Sequence, residues 1–174
     1  MNWWKQAQQK NSYFFRGANP TVDLVALKRG DRGMEILLIL RGGGTVEGGK
    51  WALPGGFIDT DAKRGEEWKP GKESPRQAAA RETAEETGVR VDPGRLVEIG
   101  VFEGSGRDPR DNDESWSKSH AFAVIVDGSP RARAGDDAKD ARWFPVSEIP
   151  STAFDHGKII QAGLSAMGSA SQRA

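Results

Sequence analysis

Two stretches rich in valine, isoleucine and leucine, TVDLVAL at 21–27 and EILLILR at 35–41, flank the turn KRGDRG and predict a strand pair. The glycines at 42–44 and 48–49 mark a loop. A short strand, WALPGGFI at 51–58, follows, with Pro54 and two glycines ending its regular pairing. After the polar, irregular stretch DTDAKRGEEWKPGKE, Ser74 opens a helix: Pro75 stands at the first helical position and Gln77 at capping-box spacing. That helix runs through RQAAARETAEET and stops at Gly88. LVEIGVFEG (96–104) and HAFAVIV (120–126) read as strands, and GRDPRDNDESWSKS between them as a charged loop. ARWFPVSEIP supplies a last short strand and turn. Apolar residues at 159, 160, 164 and 167 have the spacing of a packed C-terminal helix, with Asp155 as its expected N-cap.

This order predicts an α/β fold with a mixed sheet between helices, in one domain over residues 1–168. An aromatic segment (1–17, with Trp3, Trp4, Tyr13, Phe14 and Phe15) precedes the strands and is expected to pack on the body or on a partner subunit. Residues 169–174 read as a disordered tail.

Composition narrows the chemistry. The 174 residues carry 25 basic and 25 acidic side chains, so no global attraction for nucleic acid or anionic membranes is expected. With no cysteine there is no disulfide, thiol nucleophile or cysteine metal site, and two histidines make a zinc site or histidine triad improbable. His156 is expected to be structural. No apolar run approaches the roughly 20 residues of a membrane span, and the N-terminus lacks a signal-peptide core. A soluble cytoplasmic protein is the expectation, and zero net charge leaves room for a homodimer.

The candidate chemistry lies in RETAEETG at 81–88. At about 100° per residue, Glu82, Glu85 and Glu86 share one helix sector, and Arg81 stands one turn before Glu85. Like charges this close repel unless cations neutralise them, and clustered hard oxygens suit Mg²⁺ or Mn²⁺. An isolated E-x-x-E-E is more often a solvated face. The context reverses that preference, because a strand ending in LPGG, a loop and a capped helix surround it.

Together these features resemble the Nudix box, the signature of hydrolases acting on nucleoside diphosphates linked to another group. Glu73, seven intervening residues, then Arg81, Glu82, Glu85, Glu86, Gly88 and Val89 fit its pattern, with Thr83 at a position usually bulky and apolar. The box glycine departs from it. Strict spacing falls on Glu67, whereas Gly56 is the natural equivalent, so 16 residues (57–72) replace the usual five and residues 59–72 form an inserted loop. Added loop length costs little in closure entropy.

The resemblance implies a Nudix-type α/β/α sandwich in which Glu82, Glu85 and Glu86 bind divalent ions and Arg81 orients Glu85. It implies that Glu73 helps as an outer ligand and that the carbonyl of Gly55 completes the set. Glu85 or Glu114 is the candidate general base. Arg41 and Arg107 are candidate phosphate contacts beside Gly56, with Arg110 equally placed, and Trp68 is a candidate base-stacking ring. For each of these a surface or packing role is the alternative. WALPGGFID, GRDPR and AFDH are similar to the ADP-ribose and nucleotide-sugar pyrophosphatase branch, which implies cleavage to a nucleoside monophosphate and a phosphorylated product. A (d)NTP pyrophosphohydrolase is the second expectation, and a non-catalytic ligand-binding module the third.

Overall fold

The computed structural model describes residues 13–104, 106–135 and 138–171, so Trp3 and Trp4 lie outside the described residues. Seven strands form one mixed sheet: β1 (Gly17–Gly30), β2 (Gly33–Arg41), β3 (Trp51–Ala52), β4 (Gly55–Phe57), β5 (Val97–Glu103), β6 (Ser115–Ile125) and β7 (Ala138–Pro145). Two helices, α1 (Pro75–Thr87) and α2 (His156–Ser171), cover it. β1 runs parallel to β6, and the other pairings are antiparallel.

Side-chain alternation distributes the core. Val22, Leu24, Ala26, Leu37, Phe122 and Val124 gather with Ala78 and Ala79 of α1. Their neighbours Val25, Leu27, Ile36, Leu38, Ala121 and Ala123 gather with Ile159 and Ile160 of α2. A sheet buried on both faces needs strands apolar at every position, hence the unbroken runs in β1 and β2. Ile159 is 0 % exposed. Ile159→Ala is therefore expected to lower unfolding free energy by about 3 kcal/mol in a denaturant titration.

One feature of this sheet places the site. β1 and β2 pair only near their hairpin, from Gly30↔Gly33 to Leu27↔Ile36. Beyond that they part, and the segment after the glycine loop enters the gap. β3 pairs Ile39 and Leu40 of β2, while β4 pairs Thr21 to Asp23 of β1. The predicted single strand at 51–58 is thus two, broken at Leu53–Pro54 because each half serves a different neighbour.

β6 also differs from expectation, beginning at Ser115 inside the expected charged loop. Ser117 and Ser119 point inward and are buried with polar partners, so the strand's first half lacks an apolar signal. The last helix continues through Ser171, into the stretch expected as tail. Asp155 does not spend its carboxylate on a cap, since both oxygens accept from Arg107, at 2.9 and 3.0 Å.

The inserted loop is built onto the N-terminal segment. Phe14 and Phe15 bury against Ala62 with Trp68 beside them. The Gly65 N–H donates to the Phe14 carbonyl at 2.8 Å and the Arg16 N–H to the Glu66 carbonyl at 3.0 Å. Tyr13 donates its hydroxyl to Asp111 at 2.6 Å. The aromatics at 13–15 pack on the body.

Candidate active site

α1 begins and ends where its local chemistry dictates. Ser74 and Gln77 form a reciprocal capping box, and Gly88 closes the helix in the left-handed region at φ 70°. Ala78, Ala79, Thr83 and Thr87 face the sheet. Thr83 fits a position suited to an apolar residue because its hydroxyl donates to the Ala79 carbonyl at 2.7 Å, which hides its polarity. Two carbonyls of the last turn are met from outside: the Gly135 N–H donates to that of Glu86 and the Arg133 N–H to that of Thr87, each at 2.8 Å.

The opposite face carries the glutamates, with Arg81 among them. Its Nε and Nη2 donate to the two oxygens of Glu73 at 2.7 and 2.9 Å, and Nη1 donates to Glu82 at 2.7 Å. Glu85 lies further off at 3.3 Å, with its side chain 62 % exposed. Arg81 thus grips Glu73 and Glu82 first and Glu85 only weakly. Nη2 also donates to the Phe57 carbonyl at 3.1 Å, and the Asp59 N–H donates to Glu73 at 2.9 Å. Both ends of the inserted loop are thereby tied at the site. Against the cost of burial, Arg81 and the Asp59 N–H hold Glu73 below the usual carboxylate range.

Glu82 and Glu86 behave differently. Burial raises the Glu82 pKa to about 7, outweighing Arg81. Burial, and then the neighbouring Glu82, push Glu86 well above the ordinary value, against a hydrogen bond from the Gly55 N–H to Oε2 at 2.9 Å. Gly56 lets the strand come this close, since a Cβ there would fall 2.6 Å from the Glu82 carboxylate. Gly56→Ala is expected to displace Glu82 and cut divalent-ion affinity about tenfold, read by titration of Mn²⁺.

Two carboxylates desolvated side by side are stable as anions only beside positive charge, and an all-oxygen donor set matches Mg²⁺ or Mn²⁺. The residues fit such an ion in kind. Among the described residues, however, no three His, Cys, Asp or Glu side chains already converge as a ligand group.

Arg41, at the end of β2, donates through Nε to the Val46 carbonyl at 2.9 Å and lies over the Phe154 ring at 4.8 Å. Burial, and then the charge of Arg110, lower its pKa, and Glu86, Asp108 and Asp23 oppose that shift. Arg110 forks onto Asp108 and rests on Tyr13 and Phe57. Arg107 is engaged by Asp155 and Ser117. Glu114 is exposed just before β6, where its carbonyl accepts from the Gly17 N–H at 2.8 Å. The Trp68 ring is packed beside Phe14 and Phe15, and its buried indole N–H has no hydrogen-bond partner among the described residues.

Sequence reasoning did not single out Asp23. It is buried, 3.3 Å from His156 Nε2, and it accepts from Ser119. A lone acid inside the apolar run TVDLVAL was the available signal.

The sequence profile described as NUDIX domain matches residues 18–163. An ADP-ribose pyrophosphatase of Methanocaldococcus jannaschii is 37 % identical over 127 residues, covering 73 % of this chain and 64 % of that protein. The chain spans 51 to 64 % of the length of the curated relatives it matches. Among solved structures, the NUDIX domain of Shewanella oneidensis NrtR complexed with ADP ribose superposes with a TM-score of 0.72 at 25 % identity, over 87 % of this chain and 89 % of that one. A bifunctional NMN adenylyltransferase/ADP ribose pyrophosphatase of Francisella tularensis, complexed with AMP and a Mn ion, has a TM-score of 0.61 at 26 % identity, covering 94 % of this chain and 45 % of that one.

Proposed function

Because the chain belongs to the NUDIX family, we propose that it is a divalent-ion-dependent pyrophosphatase that cleaves ADP-ribose or a related nucleotide sugar into a nucleoside monophosphate and a sugar phosphate. One observation carries the reading: Glu82 and Glu86 are desolvated side by side with raised pKa values, and the Gly55 N–H pins one of them. The likeness to ADP-ribose-cleaving and ADP-ribose-binding relatives supports the substrate class.

In this reading Glu82, Glu86 and the Gly55 carbonyl would hold Mg²⁺ or Mn²⁺, with Glu85 at the rim, and the ion would screen the pyrophosphate and lower the pKa of the attacking water. Arg81 fixes the direction of Glu82, and Glu73 fixes Arg81. Glu85, exposed and lightly held, is free to take the proton from that water. The terminal nitrogens of Arg41 make no hydrogen bond among the described residues and suit a substrate phosphate. Arg107 serves the framework, and Trp68 serves the packing of the loop. Glu114 is the lesser candidate for base.

The test is product analysis with the full chain, Mg²⁺ and a panel of ADP-ribose, nucleotide sugars and (d)NTPs. AMP and ribose 5-phosphate should appear from ADP-ribose. Turnover of (d)NTPs alone would overturn the substrate choice. A second reading, a ligand sensor, is favoured by the likeness to the NUDIX domain of NrtR complexed with ADP ribose. It predicts ADP-ribose binding by calorimetry without turnover.

A further inference from the structure

Behind the carboxylate ridge lies a buried polar set that the hydrolysis above does not use: Asp23 of β1, Ser117 and Ser119 of β6, Arg107, and Asp155 with His156 at the start of α2. It joins four sequence stretches, TVD, GRDPR, SWSKS and AFDH. His156 Nδ1 accepts a hydrogen bond from the Leu53 N–H at 2.9 Å. A ring nitrogen that accepts carries no proton, so in the neutral imidazole the proton is on Nε2, which lies 3.3 Å from Asp23 Oδ1. Burial keeps the ring neutral by lowering its pKa. Asp23 is held in turn by the Ser119 hydroxyl, with Arg107 Nη2 at 3.8 Å. Arg107 forks onto Asp155, the residue just before His156, and so fixes where the helix begins.

The position of Leu53 gives this set its consequence. Leu53 stands at the break between β3 and β4, so a side chain has to receive its N–H where a strand would otherwise do so. Two residues on, the Gly55 N–H donates to Glu86 Oε2, and between them the Pro54 carbonyl accepts from the Leu24 N–H at 3.0 Å. We propose that His156, oriented by Asp23, is a positioning residue: by holding Leu53 it sets the Gly55 N–H that aims the Glu86 carboxylate. This rests on the reading of Glu86 as a cation ligand. An apolar side chain of the same size would fill the space, yet it would leave the Leu53 N–H unpaired inside the protein.

Two variants separate positioning from packing. His156→Asn places an oxygen near the Nδ1 position and can receive the Leu53 N–H. His156→Gln places its amide near Nε2 and cannot. Both are polar, uncharged and smaller than histidine. Mn²⁺ affinity is read from the paramagnetic resonance signal of the free ion, turnover with ADP-ribose as kcat and KM, and folding by thermal unfolding. The Gln variant is expected to weaken Mn²⁺ binding about tenfold and lower kcat by on the order of 10- to 100-fold, with KM within about twofold. The Asn variant should recover most of both losses, although the two unfold at similar temperatures. If Asn and Gln behave alike in Mn²⁺ affinity and kcat, the inference is overturned. Should either fail to fold, Asp23→Asn takes its place. It removes the charge that orients the imidazole, and unchanged Mn²⁺ affinity in that variant also overturns the inference. A wild-type protein that neither binds Mn²⁺ nor cleaves ADP-ribose brings down the functional reading, and this one with it. Wild-type activity matched by every variant overturns the inference alone.

Discussion

Glu86→Gln is expected to lower kcat for ADP-ribose by roughly 1000-fold, about 4 kcal/mol of transition-state stabilisation, while the fold survives unharmed. The substitution keeps an oxygen to accept the Gly55 N–H, so the turn at Pro54 stays anchored. What disappears is a carboxylate whose charge burial disfavours, which is what pushes its pKa up. Without a divalent ion the variant should therefore unfold at a higher temperature than the wild type, because an uncompensated buried charge has been removed. Glu85→Gln makes the contrast. That side chain is exposed, so its loss should reduce turnover without altering thermal stability. Steady-state kinetics beside thermal unfolding in a chelator checks both. A Glu86→Gln enzyme within about tenfold of the wild type would remove Glu86 from the reacting centre.

Stability without metal should fall as pH rises from about 5 to 8, and the fall should be shallower in Glu82→Gln, where the raised carboxyl of Glu86 remains. The folded-state pKa of Glu82 is about 7, against an ordinary value of 4.5. A carboxyl with a raised pKa binds more protons folded than unfolded across that interval, so each pH increase favours the unfolded chain. Ionising it in the fold would cost about 3 kcal/mol, as an upper bound, for a side chain 17 % exposed. Burial lowers the pKa values of His120 and His156, which act in the opposite sense: they withdraw stability as pH drops below 6.5. Both histidines and Glu86 remain in the variant, so the difference between the two melting curves reports Glu82 together with its push on Glu86. Adding Mg²⁺ to the wild type at pH 8 should recover about 3 kcal/mol at a hundredfold excess over its dissociation constant. Parallel pH profiles for wild type and variant would show that Glu82 is not held in the state described.

Features that depend on local chemistry could be read directly from the chain. The limits of α1 follow from Ser74, Pro75, Gln77 and Gly88, residues that act on their own backbone. The hairpin of β1 and β2 follows from two apolar runs around a polar turn. The glutamate ridge needed only helical periodicity. Features that depend on partners distant in sequence were hidden. Ser117 and Ser119 disguise the start of β6 because Arg107 and Asp23 satisfy them there. The break at Leu53 arises because β1 and β2 diverge, and no local pattern announces that. Arg107, read as a phosphate contact, is instead claimed by Asp155, 48 positions away. The polar loop at 59–72 gave no hint that Phe14 and Phe15 would find Ala62 and Trp68 beneath it.

Arg81 clasps the carbonyl of Phe57 and the carboxylate of Glu73 together, and the Asp59 amide closes on that same carboxylate. The long excursion between them is in effect a pendant on a locked clasp. Its interior could change in length without tugging on the ridge so long as Trp68 keeps its packing against the core cluster that holds Ala78 and Ala79 of α1, which leaves the rest of the loop as a place for an inserted tag. The cost of such a change would fall elsewhere, on the aromatic strap at 14–15 that has its seat there.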